Sequence, residues 1–337
     1  MPSSFLELPR TYWILWIGQF INRLAGFVLT FLPVYLTERH HYRDTEAGAV
    51  LSLFGAGGLL GASLGGWASD RFGRRRTILA LTQLSAAVLL GFAAAPPGYA
   101  ISFAAFMLGV ANGYGPALTA AVSDVVSPPD RPRAFGYFYW AVNLGFAAAA
   151  TAGGALALRG YHWLFIGDAL TTLALCAIVF VYVPETRPAH LGPPTGSALS
   201  QLPRALADPR LAAFAAAQFV VLTVFLQAFT TMTLEERAHG VSVANVGFIA
   251  ALNGVIIVAT QPLFVRLTRG KALWRSLTLA AAMVSAGALI ASRARWSTRR
   301  AETPPRATAD AERRRTTAET LPGWCPSRTL RASLRGE

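Results

Sequence analysis

The chain has 337 residues, of which 53% are hydrophobic and only 14% charged, and its mean hydropathy is +0.42. That is too apolar for a soluble protein that must keep a polar surface, so this is a membrane chain. A net charge of +13 would suggest nucleic acid as the partner of a soluble protein, but here the basic residues sit on alternate loops and in the C-terminal segment, where membrane topology accounts for them.

At roughly 20 residues per crossing, the apolar runs resolve into spans at 11–36, 47–69, 77–95, 99–122, 136–158, 163–183, 211–232, 246–265 and 273–292. The first is too long for a signal peptide and lacks a small-residue cleavage site. It carries Asn22 and Arg23 in mid-run. A mid-helix arginine costs roughly 2.5–3.5 kcal/mol on insertion scales, so Arg23 is expected to face the interior and find a partner: an anionic substrate, an intramembrane acid, or carbonyls at a helix contact.

Between spans two and three lies Gly66-Trp67-Ala68-Ser69-Asp70-Arg71-Phe72-Gly73-Arg74-Arg75-Arg76. Asp70 and the four arginines cannot sit in hydrocarbon, so the chain must emerge here, turn at Gly73 and re-enter. Short loops rich in arginine mark the cytoplasmic side. The loops then placed inside carry most of the basic residues, whereas those outside hold Arg39, Arg43, Arg159 and Arg237. A multi-pass protein of the cell membrane is expected, with a cytoplasmic N-terminus and the lipid bilayer as its surroundings.

Gly57, Gly61 and Gly65 recur every four residues in span two, which brings one helix face close to a partner backbone. Gly145, Ala149 and Gly153, followed by Gly154, do the same in span five. Asn112 in span four, Asn143 in span five and Gln218 in span seven can hydrogen-bond a substrate or glue helices together. Asp168 is the only acid clearly inside the first six spans. It is a candidate proton site, with a solvated or capping role near the outer interface left open.

Pro184-Glu185-Thr186-Arg187 follows span six, and a Pro/Gly/Ser-bearing linker follows that. The expected organisation is an N-terminal six-helix bundle over 1–187, a cytoplasmic linker over 188–207, a partial second bundle over 208–292 and a basic tail over 293–337. Gln19-Phe20, Gly48 and Gly55 recur as Gln218-Phe219, Gly247 and Gly254 at one constant offset, as expected of parallel repeats. The tail contains no Ile, Val, Phe, Met or Tyr. It reads either as a disordered basic segment or as out-of-frame translation replacing further spans, and the second is preferred because the tail begins inside an unfinished repeat. The ninth span is marginal, with Arg275 and Arg293 bounding a stretch at the lower limit for crossing.

The single lysine, Lys271, is followed by alanine, so no phosphate-binding G-x-x-x-x-G-K-[ST] loop can form. Neither H-E-x-x-H nor C-x-x-C occurs. No enzyme, ATP site, metal or cofactor is expected. Binding and movement remain.

Gly66 to Arg75 matches G-x-x-x-D-R-x-G-R-R and resembles the loop signature of the major facilitator superfamily. Pro184 to Arg187, and Asp124 with Arg131-x-Arg133-Ala134-Phe135-Gly136, are similar to that family as well. The resemblance implies an all-α membrane bundle that moves a small-molecule substrate by alternating access, complete in its N-terminal half and partial in its C-terminal half. It implies that Gly66, Asp70, Arg71, Gly73, Arg74 and Arg75 form a conformational switch pairing with the neighbouring half-bundle. It further implies that span five packs on span eight, that span two faces an eleventh helix this chain does not supply, and that Asn22, Arg23, Asn112, Asn143 and Gln218 line a midplane cavity. Gly136 and Gly145 suit an antiporter signature in span five, but Ala149-Ala150 stand where Gly-Pro is expected and span four lacks an arginine. Proton-coupled efflux is therefore a leaning. The competing expectation is a truncated, transport-inactive protein that only inserts, or forms a homo-oligomer through the exposed face of span two.

Overall fold

The computed structural model describes residues 7–26, 28–94, 98–188, 203, 207–226, 234–236, 239–268, 275, 278–287 and 289–290. They belong to two compact units, Met1–Ala272 and Leu273–Glu337. The basic tail, nearly all of the linker and part of the expected ninth span lie outside the described residues. Among those described, regular structure is entirely helical, as a chain in hydrocarbon requires, because a helix satisfies its own backbone polar groups.

Span two is Asp44–Phe72, span three Arg74–Ala94, span five Arg131–Ala157 and span six His162–Tyr182. Span seven is Pro209–Leu226 and span eight Val243–Thr268. Six described helices, comprising spans two to six and span eight, are long and apolar enough to cross a membrane. The apolar helix Thr278–Gly287 is shorter.

Two spans depart from the continuous helices expected. Span one is Arg10–Arg23, then a turn, then Val28–Val34 and a π-helical turn at Tyr35–Arg39. The break follows Arg23, whose carbonyl accepts from the Gly26 N–H at 3.4 Å in place of a helical partner. Arg23 thus ends a helix rather than standing in the middle of one, where its charge suits the negative end of the helix dipole. Span four is likewise divided, into Tyr99–Ala111 and Tyr114–Val125. There the Gly113 N–H turns back to the Val110 carbonyl at 3.0 Å.

The glycine ladder of span two is turned inward. A Cβ added at Gly57 or Gly61 would strike the backbone at Phe106 or Val110 of span four, and one at Gly65 would strike Gly113. Gly109 and Gly113 reciprocate, so the two backbones touch, the approach small residues permit. The face of span two left exposed carries Leu59, Leu60 and Leu64 instead. Any oligomer through span two would form on that leucine face, since the glycine face is already covered by span four.

The span-five ladder also differs from expectation. Gly145 faces Arg23 and Phe20 of span one, and Ala149 packs with Ala25, Phe31 and Leu164. Span eight meets a different stripe: Gly254 lies against Asn143 and Ala147, Gly247 against Ala150, and Gly154 against Ala244. Gly153 is buried. The span five to span eight contact is present, but the ladder expected to make it is divided between two partners.

Candidate functional site

The two broken spans converge on a cavity of about 360 Å³, lined among others by Asn22, Arg23 and Gly26 of span one, Asn112 and Tyr114 of span four, and Asp168 and Thr172 of span six. A chain of hydrogen bonds runs along its wall. Arg23 Nη2 donates to Tyr114 Oη at 3.3 Å, Tyr114 Oη donates to Asn22 Oδ1 at 2.9 Å, and Asn22 Nδ2 donates to Thr172 Oγ1 at 3.0 Å. Thr172 stands one turn beyond Asp168, which is buried and lines the same cavity. Arg23 Nε is buried and has no hydrogen-bond partner among the described residues. The wall therefore presents a guanidinium with an unused donor on one side and a buried carboxyl on the other, in a setting where both are expensive unless used. Ser85, Phe54, Leu89 and Leu108 complete the lining, giving the mixture of apolar walls and a few placed polar groups found in small-molecule sites.

Of the residues expected here, Asn22, Arg23, Asn112 and Asp168 are brought together. Span six turns Asp168 inward, where it is buried and lines the cavity. Asn143 is elsewhere: it is buried at the seam with span eight, and its Nδ2 donates to the Tyr139 carbonyl of its own helix at 2.9 Å. Gln218 is exposed on span seven and does not join the lining. Tyr114 and Thr172 were not anticipated. Thr172 follows Asp168 at helical spacing, the signal that could have pointed to it.

The Arg-rich turn is a second construction, at the end of spans two and six. Gly73 has φ +103°, and a Cβ there would overlap the Glu185 carboxylate. The missing side chain lets Glu185 accept from the Arg74 N–H at 2.8 Å, placing a carboxylate on the first turn of span three, where the helix dipole favours it. Arg74, itself buried, donates through Nε to Asp124 Oδ2 at 3.0 Å and through Nη1 to Asp70. Arg75 Nη2 donates to the Phe180 carbonyl at 2.6 Å and its guanidinium lies over the Phe180 ring. Arg71 lies against the rings of Trp67 and Phe72. Gly66 has nothing near the position of a Cβ. The described partners of Asp70 and Arg74 thus lie in spans two to four and the strap after span six, not in a neighbouring half-bundle.

The sequence model of the family described as the Major Facilitator Superfamily matches residues 15–298. The chain belongs to the major facilitator superfamily. Within it, the chain is 25% identical over 262 residues to YttB, an uncharacterised transporter from Bacillus subtilis strain 168, with 76% of this chain and 65% of YttB covered. It is 27% identical to the class G tetracycline resistance protein of Vibrio anguillarum, over 50% of this chain and 43% of that protein. The chain thus spans less than two thirds of the length of these relatives. Among solved structures, a mutant form of the nucleoside transporter NupG superimposes with a TM-score of 0.61 at 17% identity, covering 76% of this chain and 68% of NupG. The human organic anion transporter MFSD10 gives 0.57 at 20% identity, covering 81% and 82%. These structures share the facilitator-superfamily fold.

Proposed function

We propose that this chain is a secondary transporter that carries a small molecule across the cell membrane by alternating access, in exchange for protons at Asp168 and in the direction of export. The carrying observation is the cavity between two interrupted helices, with Arg23 and Asp168 on one wall and the Tyr114–Asn22–Thr172 chain between them. Interrupted helices at a central cavity free backbone groups and helix ends to hold a substrate. A cation with a spare donor suits a substrate bearing an acidic or electron-rich oxygen. A buried carboxyl that can be protonated or ionised suits proton exchange, because its two states differ in their attraction to Arg23. The arginine asymmetry of the loops supports a cytoplasmic N-terminus and a cytoplasmic Arg-rich turn. The export direction leans on relatives named for tetracycline and multidrug resistance.

The test uses proteoliposomes of the full chain with tetracycline as probe and an imposed pH gradient. Tetracycline should release a proton flux across the membrane, Arg23→Gln should weaken tetracycline binding, and Asp168→Asn should abolish the flux while leaving binding measurable. A flux of wild-type size in Asp168→Asn overturns the proton assignment, and equal tetracycline binding by wild type and Arg23→Gln overturns the cavity as the site.

A further inference from the structure

A second cavity, of about 500 Å³, opens between the Arg-rich turn and the strap after span six. Its charged lining is Arg71, Arg75, Arg76, Arg187 and a single acid, Glu185. That acid is already engaged, accepting from the Arg74 N–H at 2.8 Å and the Arg187 N–H at 3.0 Å. Among the described lining residues, arginines outnumber the single carboxylate. Two polar atoms at the cleft are buried with no hydrogen-bond partner among the described residues: Arg75 Nε and, between Glu185 and Arg187 in sequence, Thr186 Oγ1. Buried donors without partners are rare in folded proteins.

Apolar residues border the cleft: Phe72 is in its lining, and the Arg75 guanidinium lies over the Phe180 ring. Phe72, Phe180, Val181 and Tyr182 are each more than half exposed, at the ends of spans two and six, where a helix leaves hydrocarbon for the headgroup layer. Aromatic residues at such ends sit at the membrane interface. An occupant that satisfies both parts must carry an anionic head for the arginines and an apolar body for the rim. Free phosphate would satisfy only the first.

We propose that this cleft binds the phosphate of an anionic phospholipid headgroup, with the acyl chains lying along Phe180 and Phe72. Basic pockets at helix ends hold acidic headgroups by this chemistry. The head accepts from Arg75 Nε, Arg76 and Arg187, while Arg74 remains committed to Asp70 and Asp124. The site is independent of the transport cavity and of the direction of transport.

The experiment is native mass spectrometry of the full chain released from detergent after titration with phosphatidylglycerol or phosphatidylcholine. Arg76 is exposed and makes no hydrogen bond or ion pair among the described residues, so Arg76→Gln leaves the fold intact and should by itself weaken phosphatidylglycerol retention severalfold. The double variant Arg76→Gln, Arg187→Gln should retain it about thirtyfold more weakly than wild type, from the known contribution of each basic residue near an acidic bilayer. The lysine double variant, which keeps the charges, should retain most of the binding, and phosphatidylcholine should bind wild type and variants alike. Wild-type retention by both glutamine variants overturns the proposal. Complete displacement of phosphatidylglycerol by excess inorganic phosphate overturns the lipid assignment and leaves a site for free phosphate.

Discussion

Arg74 and Asp124 form an ion pair across the bundle, Nε to Oδ2 at 3.0 Å, with side chains only 8% and 14% exposed. Asp70, the other acid on Arg74, is 56% exposed. The two carboxylates occupy different environments, and that difference decides what each is worth.

Asp124→Asn leaves a buried guanidinium short of its better-shielded counter-ion, a change that typically costs about 3–5 kcal/mol. Asp70→Asn removes an exposed partner that water and salt already screen, which costs under about 1 kcal/mol. Thermal unfolding of the purified chain should therefore show a large drop in midpoint for Asp124→Asn and a small one for Asp70→Asn. Equal drops would mean that the shielded pair is not what ties the turn to span four.

The glycines of span two divide by what lies opposite them. Gly61→Ala would drive a methyl group into the Val110 backbone, which cannot yield as a side-chain tip can. Gly58, three residues earlier, has nothing within 4 Å of its would-be Cβ. There alanine should stabilise the helix by about 0.4–1 kcal/mol through the unfolded state. Gly61→Ala should lose monodispersity or melt several degrees lower, while Gly58→Ala should match or exceed wild type.

Much of this arrangement is legible in the residues. The cost of burying Arg23 pointed to the cavity, and the charges of the turn between spans two and three placed the chain outside hydrocarbon there. The helix breaks were not legible. Gly26 and Gly113 look like Gly57 or Gly145 in a sequence, because glycine serves close packing and chain reversal equally well. Tyr114 escaped because an aromatic in an apolar span is ordinarily packing. Gln218 matches Gln19 by repeat, yet Gln19 is buried and Gln218 is exposed. A repeat fixes position along a helix, and rotation is set by the helices packed around it. Gly247 and Gly254 of span eight pack against span five, whereas their repeat partners Gly48 and Gly55 have nothing within 4 Å.

Gly73 combines two constraints. Its φ of +103° and ψ of 155° fall in a region that is essentially glycine-only, where another residue costs of order 1–3 kcal/mol. Its missing side chain also admits the Glu185 carboxylate. Gly73→Ala should therefore destabilise through both. Adding Glu185→Ala relieves the overlap but not the backbone strain, so the double variant should melt higher than the sum of the two single losses predicts. Strict additivity would show that alanine at 73 does not meet Glu185.

Tyr114 joins Arg23 to Asn22 through one hydroxyl, so Tyr114→Phe removes both bonds while keeping the ring that fills the core. The phenyl ring still packs with the buried cluster around Tyr12, Leu118 and Leu175, which keeps the fold. What is lost is local: the buried Asn22 Oδ1 is left without its donor, at about 1–3 kcal/mol, and Arg23 Nη2 loses the contact that aims it. Asn22 can still reach Thr172, so the cavity should survive with its arginine reoriented. The expected result is a modest fall in melting temperature together with a roughly tenfold loss of tetracycline affinity, the size of one lost hydrogen bond to a charged group. Arg23→Gln should lose as much, and the double variant little more than either, because both changes remove the same aimed guanidinium. Independent, additive losses in the double variant would mean that Tyr114 meets the substrate itself rather than positioning Arg23.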